Sequence, residues 1–315
     1  MLKAKNPEIK EKRLKMFIYG PAGVGKTIGV IQFPNAYIID TERGTDLYSN
    51  TINKVKSIVL QTLNPDEVKE ELHTLLTEKH PYKTLIIDPI TQIYNATQEK
   101  WTRVFERYAK TEKEEEVQDF GMRYWGKVKG DFKGLQRLML ALDMNVIVTS
   151  HQKDVYGTEF KKIGVTFDSM RGDDYFFDLI FRVERKNGIL IAKTEKERAE
   201  LDKNKFPAEF EWSYSNFCKF YGKEIIEKEV IPLPMATKEQ IERVDKLIEV
   251  VKVEQDTINK WMLKADVNNF SEMTTEQIIK VIDFLEKKVS GLVEKHEENL
   301  QEEVKKSVIK RKGVK

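Results

Sequence analysis

The chain has 315 residues, 40% apolar and 34% charged, with Lys+Arg 54 against Asp+Glu 52. That length suits one full α/β domain plus a smaller one, and the apolar share supports a packed core and excludes global disorder. The near-cancelled charge removes any argument for a nucleic-acid partner from net charge, and a single cysteine, Cys218, excludes a disulfide framework and a multi-cysteine zinc site. The first seven residues lack an apolar signal core and no run approaches a membrane span, so a cytoplasmic protein with no membrane partner is expected.

The first apolar run, residues 16–19, leads into Gly20-Pro21-Ala22-Gly23-Val24-Gly25-Lys26-Thr27, a complete phosphate-binding loop of the pattern G-x-x-x-x-G-K-[ST]. Glycines let backbone N–H groups curl around a phosphate, Lys26 supplies a point charge, and the Thr27 hydroxyl can ligate Mg²⁺. Residues 28–31 open a helix that Pro34 stops, which completes the strand–loop–helix setting. ATP and Mg²⁺ are the expected ligands.

Further apolar runs follow at 36–39, 57–60, 84–87 and 145–149, separated by amphipathic stretches such as 66–79 and 132–142. This alternation predicts an α/β fold, a mostly parallel sheet flanked by helices. The segment 93–130 holds the charged run 110–116 and two tryptophans, Trp101 and Trp125, more in keeping with helix packing than with base stacking. Two β-type runs around Asn187-Gly188 predict a hairpin. Pro232 and Pro234 mark a linker. Beyond it Thr237/Gln240 and Thr274/Gln277 are capping boxes opening amphipathic helices. The expected organisation is an ATPase domain over 1–225, a linker over 226–236, a small all-α module over 237–290, and a charged helix with a basic tail over 291–315.

Asp88 ends the run 84–87, at the sheet edge where a carboxylate can reach Mg²⁺ beside Thr27. Many AAA+ ATPases place a catalytic glutamate immediately after this aspartate; here Pro89 comes next, which cannot act as a base. Glu42, after the run 36–39, is the replacement candidate, with Asp40 sharing its strand parity. Asp40 reads equally well as a turn cap. Ser150, His151 and Gln152 end the run 145–149 and are candidate γ-phosphate sensors. Metal binding by His151 is not expected, because no second ligand sits at a suitable spacing. Lys193, Lys196 and Arg198 come after the hairpin and read equally as a solvated charge run or as cations reaching a neighbouring subunit's nucleotide.

Residues 20–27, Glu42 within 37–46, Asp88, the Thr-Ser-His-Gln strand end at 149–152, and less securely Asp178 and 193–198, together resemble the phage RecA-like ATPases of the single-strand-annealing and recombination group. These are short RecA cores sometimes filed as phage AAA domains. The resemblance implies a RecA-like P-loop NTPase core over roughly residues 10–225, with ATP and Mg²⁺ at a subunit interface of a homo-oligomer. It implies that Glu42 orients water, that His151 or Gln152 reports the γ-phosphate, and that single-stranded DNA is the partner. A single-strand-binding or other replication protein is a further expected partner, and a bacterial host cytoplasm the expected location. The loop 153–174, with Lys161, Lys162 and Arg171, is the expected DNA-facing element. Two other readings stand beside this one: a helicase-loader-type AAA+ motor acting on a protein partner, and a nucleotide-gated interaction protein with little turnover.

Overall fold

The computed structural model describes residues 13–109, 114–158, 160–198, 206–230, 235–265 and 267–312, with side chains except at 108–120, 122 and beyond 293. It divides into two compact units, residues up to 233 and from 234 onward.

The first unit is built on a nine-stranded sheet. Strands β1 (Lys15–Gly20), β2 (Ala36–Asp40), β3 (Ile58–Gln61), β4 (Thr84–Asp88) and β5 (Asn145–Tyr156) are succeeded by β6 (Lys162–Phe167), β7 (Leu179–Lys186), β8 (Ile189–Glu197) and β9 (Glu209–Glu211). Their order is β3-β2-β4-β5-β1-β7-β8-β9, with β6 paired to β5. All contacts from β3 to β7 are parallel; β7–β8, β8–β9 and β5–β6 are antiparallel. Every residue of β2 and β4 is buried, as their unbroken apolar runs require of strands covered on both faces. The fold is therefore α/β, mostly parallel, as the run pattern predicts.

Helices α1 (Lys26–Val30), α2 (Ser49–Lys54), α3 (Pro65–Thr77), α4 (Ile90–Ala109) and α5 (Glu114–Ala141) flank the parallel strands, and α6 (Tyr214–Tyr221) and α7 (Lys223–Ile226) close the unit. Helix α3 starts where Asn64 caps the Asp66 N–H and Pro65 takes the first turn. Beneath α1 lies an aromatic cluster of Phe33, Phe181, Phe206, Phe210, Trp212, Phe217 and Tyr221. Burying each such ring contributes about 2 kcal/mol or more. The contact is close enough that a Cβ on Gly29 would lie 1.9 Å from Trp212 Nε1, so only glycine fits there.

Two regions differ from the sequence expectations. The predicted helix 132–142 is only the end of the 28-residue α5, which packs along α4. The heavy charge on these helices masks their period; Asp131 accepts from Trp101 Nε1 (2.9 Å) and pairs with Lys69 and Lys100, so the charges are part of the packing. The expected loop at 153–174 is instead mostly a hairpin. Strand β5 continues to Tyr156 and turns back as β6, because Phe167 packs on Phe17 (4.9 Å) and Tyr19 (6.1 Å) and anchors the return strand. The Asn187-Gly188 hairpin forms as β7–β8, with both turn residues at positive φ.

The second unit comprises α8 (Lys238–Val251), α9 (Gln255–Ala265) and α10 (Thr275–Lys312) around Ala236, Val244, Met273, Ile278, Ile282 and Leu285. Both capping boxes form: Thr237 with Gln240, and Thr274 with Gln277. No helix among the described residues is long and apolar enough to cross a membrane.

Candidate functional site

Strand β5 lies between β1 and β4, so the phosphate loop leaving β1 and the aspartate ending β4 arrive at the same carboxyl edge. There they border a cavity of about 470 Å³ lined by Ala22, Gly23, Gly25, Lys26, Thr27, Glu42, Asp88, His151 and Gln152, with Ile28, Gly44, Tyr48 and Pro89. Gly25 holds φ +109 and Gly23 φ +68, backbone that turns N–H groups inward. Gly20 and Pro21 contribute carbonyls that receive Lys26 Nζ (2.8 and 3.0 Å). Val24 turns its side chain into the core, and Arg185 donates to its carbonyl.

Burial lowers the pKa of Lys26, against the opposing pull of Asp88 and Glu42. Burial likewise raises that of Asp88, and the nearby Asp40 adds to the rise. Hydrogen bonds from Thr149 and Thr27 act the other way by favouring the carboxylate. A cation beside Asp88 would relieve this desolvated charge.

Glu42 stands opposite, its Oε1 accepting from Gln92 Nε2 (2.6 Å) and lying 2.9 Å from His151 Nε2. Asp40 does not join it at the cavity, contrary to the parity argument. Its Oδ1 accepts from the N–H groups of Glu42 (3.1 Å) and Gly44 (3.2 Å), and its Oδ2 from the N–H (2.9 Å) and hydroxyl (2.5 Å) of Thr45. The alternative turn-cap reading is the one the structure bears out.

His151 and Gln152 line the cavity, whereas Ser150 is fully buried and bonds inward to the carbonyls of His151 (2.9 Å) and Asp168 (3.1 Å). Lys193, Lys196 and Arg198 lie outside the cavity of their own chain. Lys193 pairs with Glu184 (2.9 Å) and Glu209 (3.5 Å), Lys196 reaches the Asp174 carbonyl, and the Arg198 N–H bonds the Asp178 carbonyl. Sequence reasoning misses four residues: Tyr48, Ile28, Gln92 and Thr149. Gln92 carries a signal, being polar on the first turn of α4 directly after Asp88 and Pro89; Tyr48 and Ile28 resemble ordinary core residues until the cavity wall exists.

These donors fit Mg²⁺ bound together with a nucleotide: a hydroxyl and a carboxylate, hard oxygens, on one side of a glycine cradle. Among the described residues no group of three or more His, Cys, Asp or Glu side chains could hold a metal alone. Phosphate oxygens would have to complete the coordination.

No curated protein matches the chain. Residues 12–206 match a family model described as an AAA domain, a span that holds the phosphate loop, Glu42, Asp88, the β5 end and the β7–β8 hairpin. The chain therefore belongs to the AAA domain family of P-loop ATPases.

Proposed function

We propose that this chain is an ATP-hydrolysing, RecA-like protein that binds single-stranded DNA and assists annealing or recombination during phage replication in the host cytoplasm. The observation that carries the reading is the continuity of β5. The strand passes the cavity at His151 and Gln152, then runs on into a hairpin whose end exposes Tyr156, Phe160 and Ile163, with Phe160 at 92% exposure. Lys161 adjoins them. Aromatic faces beside cations suit unpaired bases, which stack without sequence preference.

In this reading Lys26 leaves its carbonyl partners for the outer phosphates, and Tyr48 and Ile28 form the apolar wall for the base. Bound Mg²⁺ would neutralise charge on the phosphates, held by Thr27 and Asp88. Glu42 orients water, while His151, hydrogen-bonded to it, transmits the state of the cavity along β5. Lys193 and Arg198 would act only from a neighbouring subunit of a homo-oligomer, and Lys193 would first have to leave Glu184 and Glu209.

The test is ATP hydrolysis with and without an unstructured oligonucleotide at low salt. Stimulation that Lys26→Ala abolishes supports the proposal, and Phe160→Ala should weaken oligonucleotide binding roughly ten-fold. Indifference to DNA refutes it and favours a motor acting on a protein. For Glu42→Gln we expect nucleotide binding retained and turnover lost; normal turnover would remove Glu42 from its role.

A further inference from the structure

The helical unit carries a groove of about 380 Å³ between α9 and α10, and its lining separates by chemistry. Its apolar part is Trp261, Ala265, Met273, Val281 and Phe284; its polar part is Lys264, Lys280 and Gln277. Among the described residues no carboxylate lines it. This contrasts with the unit around it, whose helices are studded with Asp and Glu. The ring of Phe284, 43% exposed, meets Trp261 edge-on at 5.7 Å, and Lys288 Nζ stands 5.1 Å from its centroid.

Among the described residues no acidic side chain pairs with Lys264. Among the same residues Lys280 pairs only with Glu276 four residues earlier, and both are about three-quarters exposed (70% and 80%). Such a pair is worth little and yields readily to a competing carboxylate. The groove therefore presents an apolar slot with available positive charge at its rim.

We propose that this groove docks an acidic segment of a partner protein, with one aromatic or large aliphatic side chain in the slot and carboxylates on Lys264 and Lys280. Charge selects this occupant over the others. The chain's own terminal stretch beyond 304 is strongly basic and would meet the lysines with like charge. A second copy related by two-fold symmetry would set the same lysines against each other. A nucleic-acid strand needs a row of cations along its backbone. Here Glu276, paired with Lys280, interrupts any such row, and Trp261 and Phe284 meet edge-on instead of offering parallel faces to successive bases.

The experiment is fluorescence anisotropy on the full chain, using a labelled synthetic peptide with one Phe among several Asp residues. We expect saturable binding that weakens at least ten-fold when the peptide's Phe becomes Ser, and again in the Lys264→Glu/Lys280→Glu protein. That variant should keep wild-type far-UV circular dichroism and ATP binding, since both lysines are on the surface of a separate unit. Absence of saturable binding overturns the proposal, as does equal affinity for the Ser peptide or unchanged affinity in the variant. It is also overturned if an oligo-dT strand displaces the peptide and is itself lost from the variant, or if the variant changes oligomeric state. The groove shares no lining residue with the nucleotide cavity or the β5–β6 hairpin, so peptide binding stands or falls apart from the annealing function.

Discussion

Two strand ends lie side by side in this sheet and use the same side chain for opposite purposes. Asp40 at the end of β2 and Asp88 at the end of β4 are partners in register, and both are nearly inaccessible, at 1% and 4% exposure. Asp40 is saturated by three backbone N–H groups and a hydroxyl from the five residues after it. It folds the turn that carries Glu42. Asp88 is followed by Pro89 and helix α4 instead of a turn that folds back on it; its carboxylate takes hydroxyls from Thr149 and Thr27 and stays at the cavity. Whether the following segment folds back on the carboxylate separates an aspartate that shapes the backbone from one that faces the cavity.

The sharpest separation of the two comes from removing each charge. Asp88→Asn should lower Mg²⁺-dependent ATP turnover by at least about 100-fold. Its pKa is raised in the folded state, chiefly by burial, so ionised Asp88 costs stability. That stability is fully present below the ordinary carboxylate pKa and is lost as pH rises through the raised one. The ligand-free Tm of Asp88→Asn at pH 7 should therefore hold or rise above wild type. A falling Tm would place Asp88 among structural residues. Asp40→Asn should do the reverse. Losing a charged acceptor for buried donors costs about 2 kcal/mol, a Tm drop of roughly 4–8 °C in a unit this size, with turnover falling only because Glu42 is displaced.

This division is half legible in the sequence. The phosphate loop, the buried strands and both capping boxes arise from local rules that tertiary structure has little means to override. The hairpin at Asn187-Gly188 likewise needs only those two residues. Asp40 is ambiguous because strand parity places it beside Glu42, and only the closed turn reveals where its lone pairs go. Helices α4 and α5 are obscured since Asp131, Lys69 and Lys100 sit on packed faces where a pattern of apolar residues is expected. The β5–β6 hairpin is obscured for a similar reason, its anchor being Phe167 on Phe17 and Tyr19, residues about 150 positions apart in sequence. Sites assembled by such long-range contacts leave no local pattern to read.

The threonines that serve the two aspartates give the finest test. Thr149 donates to Asp88 Oδ1 and so favours its ionised form. Thr149→Val withdraws that bond and raises the Asp88 pKa further, because burial then acts with less opposition. The acidic limb of the turnover profile should move to higher pH, and turnover at pH 7 should fall roughly three- to ten-fold. Thr45→Val removes a hydroxyl from Asp40 but leaves the Thr45 N–H and two others in place. The expected loss is about 1 kcal/mol, a Tm drop of roughly 2–4 °C, with the acidic limb unmoved. A shift of that limb in Thr45→Val as large as in Thr149→Val would mean that the Asp40 turn governs the cavity carboxylate as directly as Thr149 does. The separation of roles would then fail, because the turn that Asp40 folds would act on the cavity and not on the backbone alone.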